Sequence, residues 1–211
     1  RQVDIATQQI LQREQETIIR LAKAGEYRDE GTGNHVLRMA KYSRIIAEEL
    51  GTFTEEECED LEYAAPMHDI GKIGIPDRVL LKPGKLDPDE WEIMKRHSTI
   101  GHSILSNSKS KYMQIGAIIA MNHHERFDGK GYPNGLKGSE IPLIARIVAV
   151  ADVFDALVTT RPYKAAWSTE EALTYIQQQS GLHMDPKCVE AFLARIDDIK
   201  KIQSDYSDEP E

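Results

Sequence analysis

The stretch from Pro142 to Leu157 constrains this chain more than any other: Ile147, Val148, Val150, Ala151, Phe154 and Leu157 leave almost no polar face. A helix that is apolar on most sides must be buried among others. Two carboxylates, Asp152 and Asp155, interrupt it. Buried, each must be paired, protonated or bound to a metal. The rest of the chain therefore has to supply both a shell of helices and partners for these acids.

The shell is legible in the caps. Thr54 with Glu57, Asp87-Pro88 with Glu90, and Ser168 with Glu171 are capping boxes, and Asp185-Pro186 opens a last helix. Helical spacing runs through Met39, Tyr42 and Ile46 until Gly51, and through Leu61, Ala65 and His68 until Pro66 and Gly71 break it. No run alternates as a strand would. The expected fold is all-α, a bundle of about seven helices. Residues 1–24 read as a helix that either packs on the domain or serves as a linker or stalk, 25–203 as the domain, and 204–211 as an acidic disordered tail.

Composition narrows the function classes. A net charge of −9 argues against binding to nucleic acid or to an anionic membrane surface, and no apolar run is long enough to span a bilayer. Cys58 and Cys188 form no metal or redox motif and read as reduced thiols in a cytoplasmic protein. The chain begins at Arg1 rather than Met, from which upstream sequence is expected.

Imidazoles recur on the inward stripes. His35 lies in a first turn, His68-Asp69 at the end of the second capped segment, His97 on the inner side of a helix over 88–106, and His123-His124 at the end of one over 111–122. Each alone is more often a hydrogen-bonded core or helix-end residue than a ligand. Together with Asp152 they favour a His-rich di-metal centre, because bundles build such sites from facing helices.

The runs His68-Asp69-Ile70-Gly71-Lys72 and His123-His124-Glu125-Arg126-Phe127-Asp128-Gly129-Lys130-Gly131-Tyr132-Pro133, with His97 between them, resemble the HD-GYP phosphodiesterases of the HD superfamily. The resemblance covers about residues 20–200. It implies an all-helical, metal-dependent hydrolase of cyclic di-GMP, in which a hydroxide held between metals attacks phosphorus to give linear pGpG, and further GMP. By position it implies His35, His68, Asp69 and Asp152 as ligands of one metal and His97, His123 and His124 as ligands of a second, with Asp69 bridging. The metals implied are two divalent ions, iron or manganese first, with zinc, nickel and magnesium as further candidates. Lys72 corresponds to a lysine beside the scissile phosphate, and Arg161 and Lys164 to a phosphate-contacting pair. Tyr132, in the Gly-Tyr-Pro loop, corresponds either to a contact at the site mouth or to part of a docking surface for a diguanylate cyclase. Members with three metals carry a Glu four residues before the first ligand His; here Gly31 stands there, so a binuclear centre is expected. Further expected partners are an upstream receiver or sensor domain and a second copy of the chain. The alternatives are a cyclic GMP-AMP hydrolase and a catalytically weak metal- or nucleotide-sensing module.

Overall fold

A computed structural model describes residues 2–29, 33–160 and 165–207. Helices begin where a side chain can satisfy otherwise orphaned N–H groups. Thr54 accepts from Glu57 N while Glu57 accepts from Thr54 N at 2.8 Å, and Asp87 with Glu90 and Ser168 with Glu171 repeat the reciprocal pattern. Ten α-helices result among the described residues: α1 Gln2–Glu26, α2 Gly33–Leu50, α3 Glu55–Ala64, α4 Asp77–Leu80, α5 Pro88–Leu105, α6 Lys111–Asn122, α7 Leu143–Val158, α8 Thr169–Gln178, α9 Pro186–Ala194 and α10 Ile196–Asp205. No strand is present among them, so the all-α expectation holds.

Three boundaries differ from those the sequence predicts. The segment 71–86, expected as loop, holds the short helix α4. The last helix is split at Arg195, whose φ of −112° and ψ of 31° break the ladder between α9 and α10. Residues 204–207, expected as the start of a disordered tail, continue α10 to Asp205, and the carbonyls of Tyr206 and Ser207 accept from Arg38 and Asn34. A backbone whose carbonyls are tied to α2 is held in place whatever its acidity.

The core forms around α7. Phe154, Ile147, Val148 and Val150 are fully buried, and each such side chain contributes roughly 1.5–3 kcal/mol by leaving water. Tyr42 of α2 meets Phe154 edge-on at 5.5 Å, and Phe192 of α9 meets it at 4.9 Å. The second half of α1 joins this core through Ile18 and Ala22, whereas Ile5, Ile10 and Leu11 face solvent.

One close approach brings Asp69 to α5. The residues after it, Ile70–Gly74, form a 3-10 turn laid against the backbone of α5. A Cβ on Gly71 would sit 1.9 Å from the carbonyl oxygen of His97 and 2.4 Å from the nitrogen of Gly101. Arg28, just after α1, holds the turn from the other side by donating to the carbonyls of Ile73 and Ile75. Only glycine lets the turn and helix touch main chain to main chain. Gly71→Ala should therefore destabilise by at least about 2 kcal/mol, lowering the melting temperature by roughly 4–8 °C. An unchanged melting curve would contradict this packing.

Candidate metal centre

Backbone carbonyls decide which nitrogen each histidine offers. His68 Nδ1 lies 3.1 Å from Ala65 O, His97 Nδ1 lies 2.7 Å from Met94 O, and His123 Nδ1 lies 3.1 Å from Ala120 O. A carbonyl oxygen only accepts, so each Nδ1 carries the hydrogen and each neutral ring presents a bare Nε2 lone pair. His35 is set the same way, its Nδ1 donating to Asp155 Oδ2 at 2.7 Å. Four elements thus point Nε2 lone pairs toward one region.

Asp69 lies between them. Its Oδ1 is 3.3 Å from His97 Nε2 and 3.5 Å from His123 Nε2, while its Oδ2 is 3.3 Å from His68 Nε2 and 2.8 Å from Lys72 Nζ. Asp152 Oδ1 lies 3.7 Å from His68 Nε2. The donor atoms form two groups, each within 4.8 Å of one another: Asp69, His97, His123 and His124 in one, His35, His68 and Asp152 in the other. All seven expected ligand residues are therefore brought together, and the two sets meet at the Asp69 carboxylate.

These atoms fit cations better than they fit each other. Two lone pairs facing at 3.3–3.5 Å repel, and both Asp69 Oδ1 and His68 Nε2 are buried without a hydrogen-bond partner. Leaving such a group unsatisfied costs about 1–3 kcal/mol, more for a charge. The electrostatics carry the same imprint. Burial alone would lower the His68 pKa, yet the charges of Asp69 and Asp152 raise it to about 9. A proton is then the smallest cation that the second group can hold. Burial would raise Asp69, but Lys72 and His68 hold it well below the usual carboxylate range. Burial and neighbouring imidazoles push His124 down, and burial lowers His97. The neutral imidazoles of His97 and His124 beside an ionised carboxylate are in the states that ligate a metal, and His68 would give up its proton to a metal that replaces it.

Residues 7–188 match the profile of the HD domain. The chain belongs to the HD-domain family. It is 53% identical over 199 residues to the cyclic di-GMP phosphodiesterase response regulator RpfG of Xanthomonas campestris, spanning 94% of this chain and 52% of that protein. A cyclic di-GMP phosphodiesterase of Thermotoga maritima is also 53% identical, over 87% of this chain and 50% of its own length. A 3′3′-cGAMP-specific phosphodiesterase of Vibrio cholerae is 45% identical over 92% of this chain and 37% of its own. The chain thus spans about half the length, or less, of these relatives. In fold it resembles a solved Vibrio cholerae structure titled a cyclic GMP-AMP specific phosphodiesterase, with a TM-score of 0.69, 23% identity, and 92% and 50% of the two chains covered. The resemblance to HD-GYP phosphodiesterases expected from the motifs is met by these relatives.

The HD-domain helices carry an outer ring that sequence reasoning misses in part. Arg38, one turn after His35 and 4% exposed, donates from Nε to Asp155 Oδ1 at 2.6 Å and from Nη2 to Asp155 Oδ2 at 3.0 Å. Asp155 is thereby the paired acid of α7, and Asp152 the one left facing the imidazoles. A buried arginine inside an otherwise apolar stripe of α2 is the available signal. Burial would raise Asp155, but His35 and Arg38 hold it low, so it stays an acceptor that orients His35.

The loop after His124 is held by Glu125, to which sequence reasoning assigns no role. Its buried carboxylate accepts from Asn134 N at 2.7 Å and Leu136 N at 2.9 Å. Arg126 and Asp128 pair with each other at 2.8 Å, which holds Asp128 down to about 2. That contribution to loop stability is complete above the carboxyl's unfolded pKa and is lost as pH falls through about 2. Tyr132, joined to Pro133 by a cis peptide, stacks on His124 at 4.8 Å and 27°. Lys72 stands beside Asp69. Arg161, Lys164 and Gly31 lie outside the described residues.

Because Asp155 fixes the His35 tautomer and raises its basicity, Asp155→Asn should weaken binding of a divalent cation by roughly 10–100-fold. Titration calorimetry with Mn(II) reads this directly, and wild-type affinity would contradict the outer-ring role.

Proposed function

We propose that this chain is the catalytic part of a metal-dependent phosphodiesterase that hydrolyses cyclic di-GMP to linear pGpG. The observation that carries the reading is the Asp69 carboxylate, one oxygen toward each ligand group, with the Lys72 ammonium 2.8 Å away. His35, His68, Asp69 and Asp152 would hold one divalent ion and His97, His123, His124 and Asp69 a second, iron or manganese by preference. When bound, such a pair supplies Lewis acidity toward a phosphoryl oxygen and a water activated near neutral pH.

The chain's own side chains do the rest. Locked Nδ1–H tautomers keep the Nε2 lone pairs aimed without reorganisation, which is where electrostatic catalysis gains most. Lys72 offsets negative charge that builds on the phosphoryl oxygens as the ribose 3′-oxygen leaves. Tyr132, stacked on His124, closes one side of the site against water. Arg161 and Lys164 would contact phosphate. With glycine at position 31 the centre is binuclear, and a slower second cleavage leaves pGpG as the main product, with GMP following.

The relatives' names support both parts of the substrate reading. Cyclic GMP-AMP is the second candidate substrate, favoured by the Vibrio cholerae relative named for it. A sensing module without turnover is opposed by the presence of Lys72 alongside all seven ligand residues. In the longer protein, residues 1–24 would link an upstream receiver or sensor domain to a catalytic domain over 25–203. The RpfG relative, a response regulator by name, supports that arrangement. A diguanylate cyclase docking on the Gly-Tyr-Pro loop, a homodimer and a cytoplasmic location complete the proposal. Among the described residues no helix is long and apolar enough to cross a membrane.

Anaerobically purified protein incubated with cyclic di-GMP should release pGpG, and Asp69→Ala should lose at least roughly a hundredfold in turnover while keeping its helical circular dichroism. Unchanged hydrolysis by that variant would exclude the site. Rapid, complete conversion to GMP would count against the binuclear reading of Gly31.

A further inference from the structure

Beside the metal centre lies a second feature that the ligand set does not use. Trp91 sits in the first turn of α5 with 45% of its surface exposed, unusual for the largest aromatic side chain. Lys95 follows one turn later on the same face, and His97 on the same helix enters the metal group. Tyr132 meets the indole edge-on at 5.9 Å and 81°, so the ring that backs His124 also braces Trp91. A cavity of about 350 Å³ lies between Trp91, Lys95, His124, Arg126, Lys130 and Tyr132. His124 is a wall of this cavity and a member of the metal group, so the cavity adjoins the metal group at that ring.

The charges here run against the rest of the molecule. The chain carries −9 overall, yet three cations rim this one cavity. Lys95 is balanced by Glu92 at 2.7 Å and Arg126 by Asp128 at 2.8 Å, whereas Lys130 makes no direct ion pair among the described residues and only shares the Asp128 charge at longer range. An apolar partner surface would gain nothing from that excess positive charge. A flat, electron-rich base attached to a phosphate would use both the indole and the ammonium groups. The volume suits one base rather than a whole dinucleotide.

We propose that Trp91, braced by Tyr132 and flanked by Lys95 and Lys130, is the stacking platform for one purine base of the cyclic dinucleotide whose phosphate lies at the metal centre. This rests on the phosphodiesterase reading. It makes Trp91 a substrate-binding residue and assigns it to affinity, not to the bond-breaking step. Stacking one base on an aromatic side chain changes binding by roughly 5–150-fold.

Two experiments on the metal-loaded protein test it. Trp91→Ala should raise KM for cyclic di-GMP about 10-fold or more with kcat within about threefold, and Trp91→Phe should recover most of the loss. Being exposed, Trp91 can be replaced without unfolding the chain, which the melting curve verifies. The chain has two tryptophans. In Trp167→Phe, fluorescence then reports Trp91 alone and should be quenched saturably by a hydrolysis-resistant phosphorothioate analogue of cyclic di-GMP. An unchanged KM in Trp91→Ala, or no quenching in Trp167→Phe, would overturn the platform while leaving the phosphodiesterase reading intact. A wild-type protein that hydrolyses no cyclic dinucleotide would overturn that reading and the platform with it.

Discussion

A single buried carboxylate holds the site together. Asp69 turns Oδ1 to His97 and His123 and Oδ2 to His68 and Lys72. In a low-dielectric interior an anion surrounded by imidazole lone pairs is unstable unless positive charge lies between them. Lys72 supplies part of it and the His68 proton another part, and divalent cations would supply the whole. The geometry is thus built for charges that the protein chain alone only half provides.

The remaining structure serves to hold that carboxylate in place. Asp69 follows a 3-10 turn at the end of α3, so its position depends on where the following Ile70–Gly74 turn can rest. That turn rests on the α5 backbone because Gly71 and Gly101 leave room, and Arg28 ties its carbonyls from the opposite side. On the far side, α7 carries two acids with opposite fates. Arg38 neutralises Asp155, which then orients His35, while Asp152 remains directed at His68. One helix turn separates an outer partner from an inner donor.

Much of this is legible in the amino-acid order. Capping boxes at Thr54, Asp87 and Ser168 and the helical spacing between them specify the bundle, because local hydrogen bonding decides where helices begin. His35, His68 and His97 can be picked out because helical phase puts them on inward faces, and Asp152 because it interrupts an apolar helix; the full set of seven, with Asp69 and the adjacent His123 and His124, is what the resemblance to the HD-GYP phosphodiesterases implies. What escapes depends on tertiary partners. The division of labour between Asp152 and Asp155 turns on Arg38, which is far from both in sequence. Glu125 acquires its task only once Asn134 and Leu136 fold back over it. Helix α4 and the break at Arg195 are short-range choices that periodicity over a dozen residues averages away. Trp91 gives no signal at all, since an exposed aromatic in a first turn looks like ordinary surface until Tyr132 and the cations of the following loop close around it.

The proposed chemistry turns on Asp69 as the element shared by two cation sites. Diffraction from crystals of the metal-loaded protein, recorded on either side of the metal's absorption edge, locates bound ions without reference to activity. Two anomalous peaks are predicted, one between Asp69, His97, His123 and His124 and one between Asp69, His35, His68 and Asp152. A single peak, or two peaks neither of which touches the Asp69 carboxylate, would contradict it.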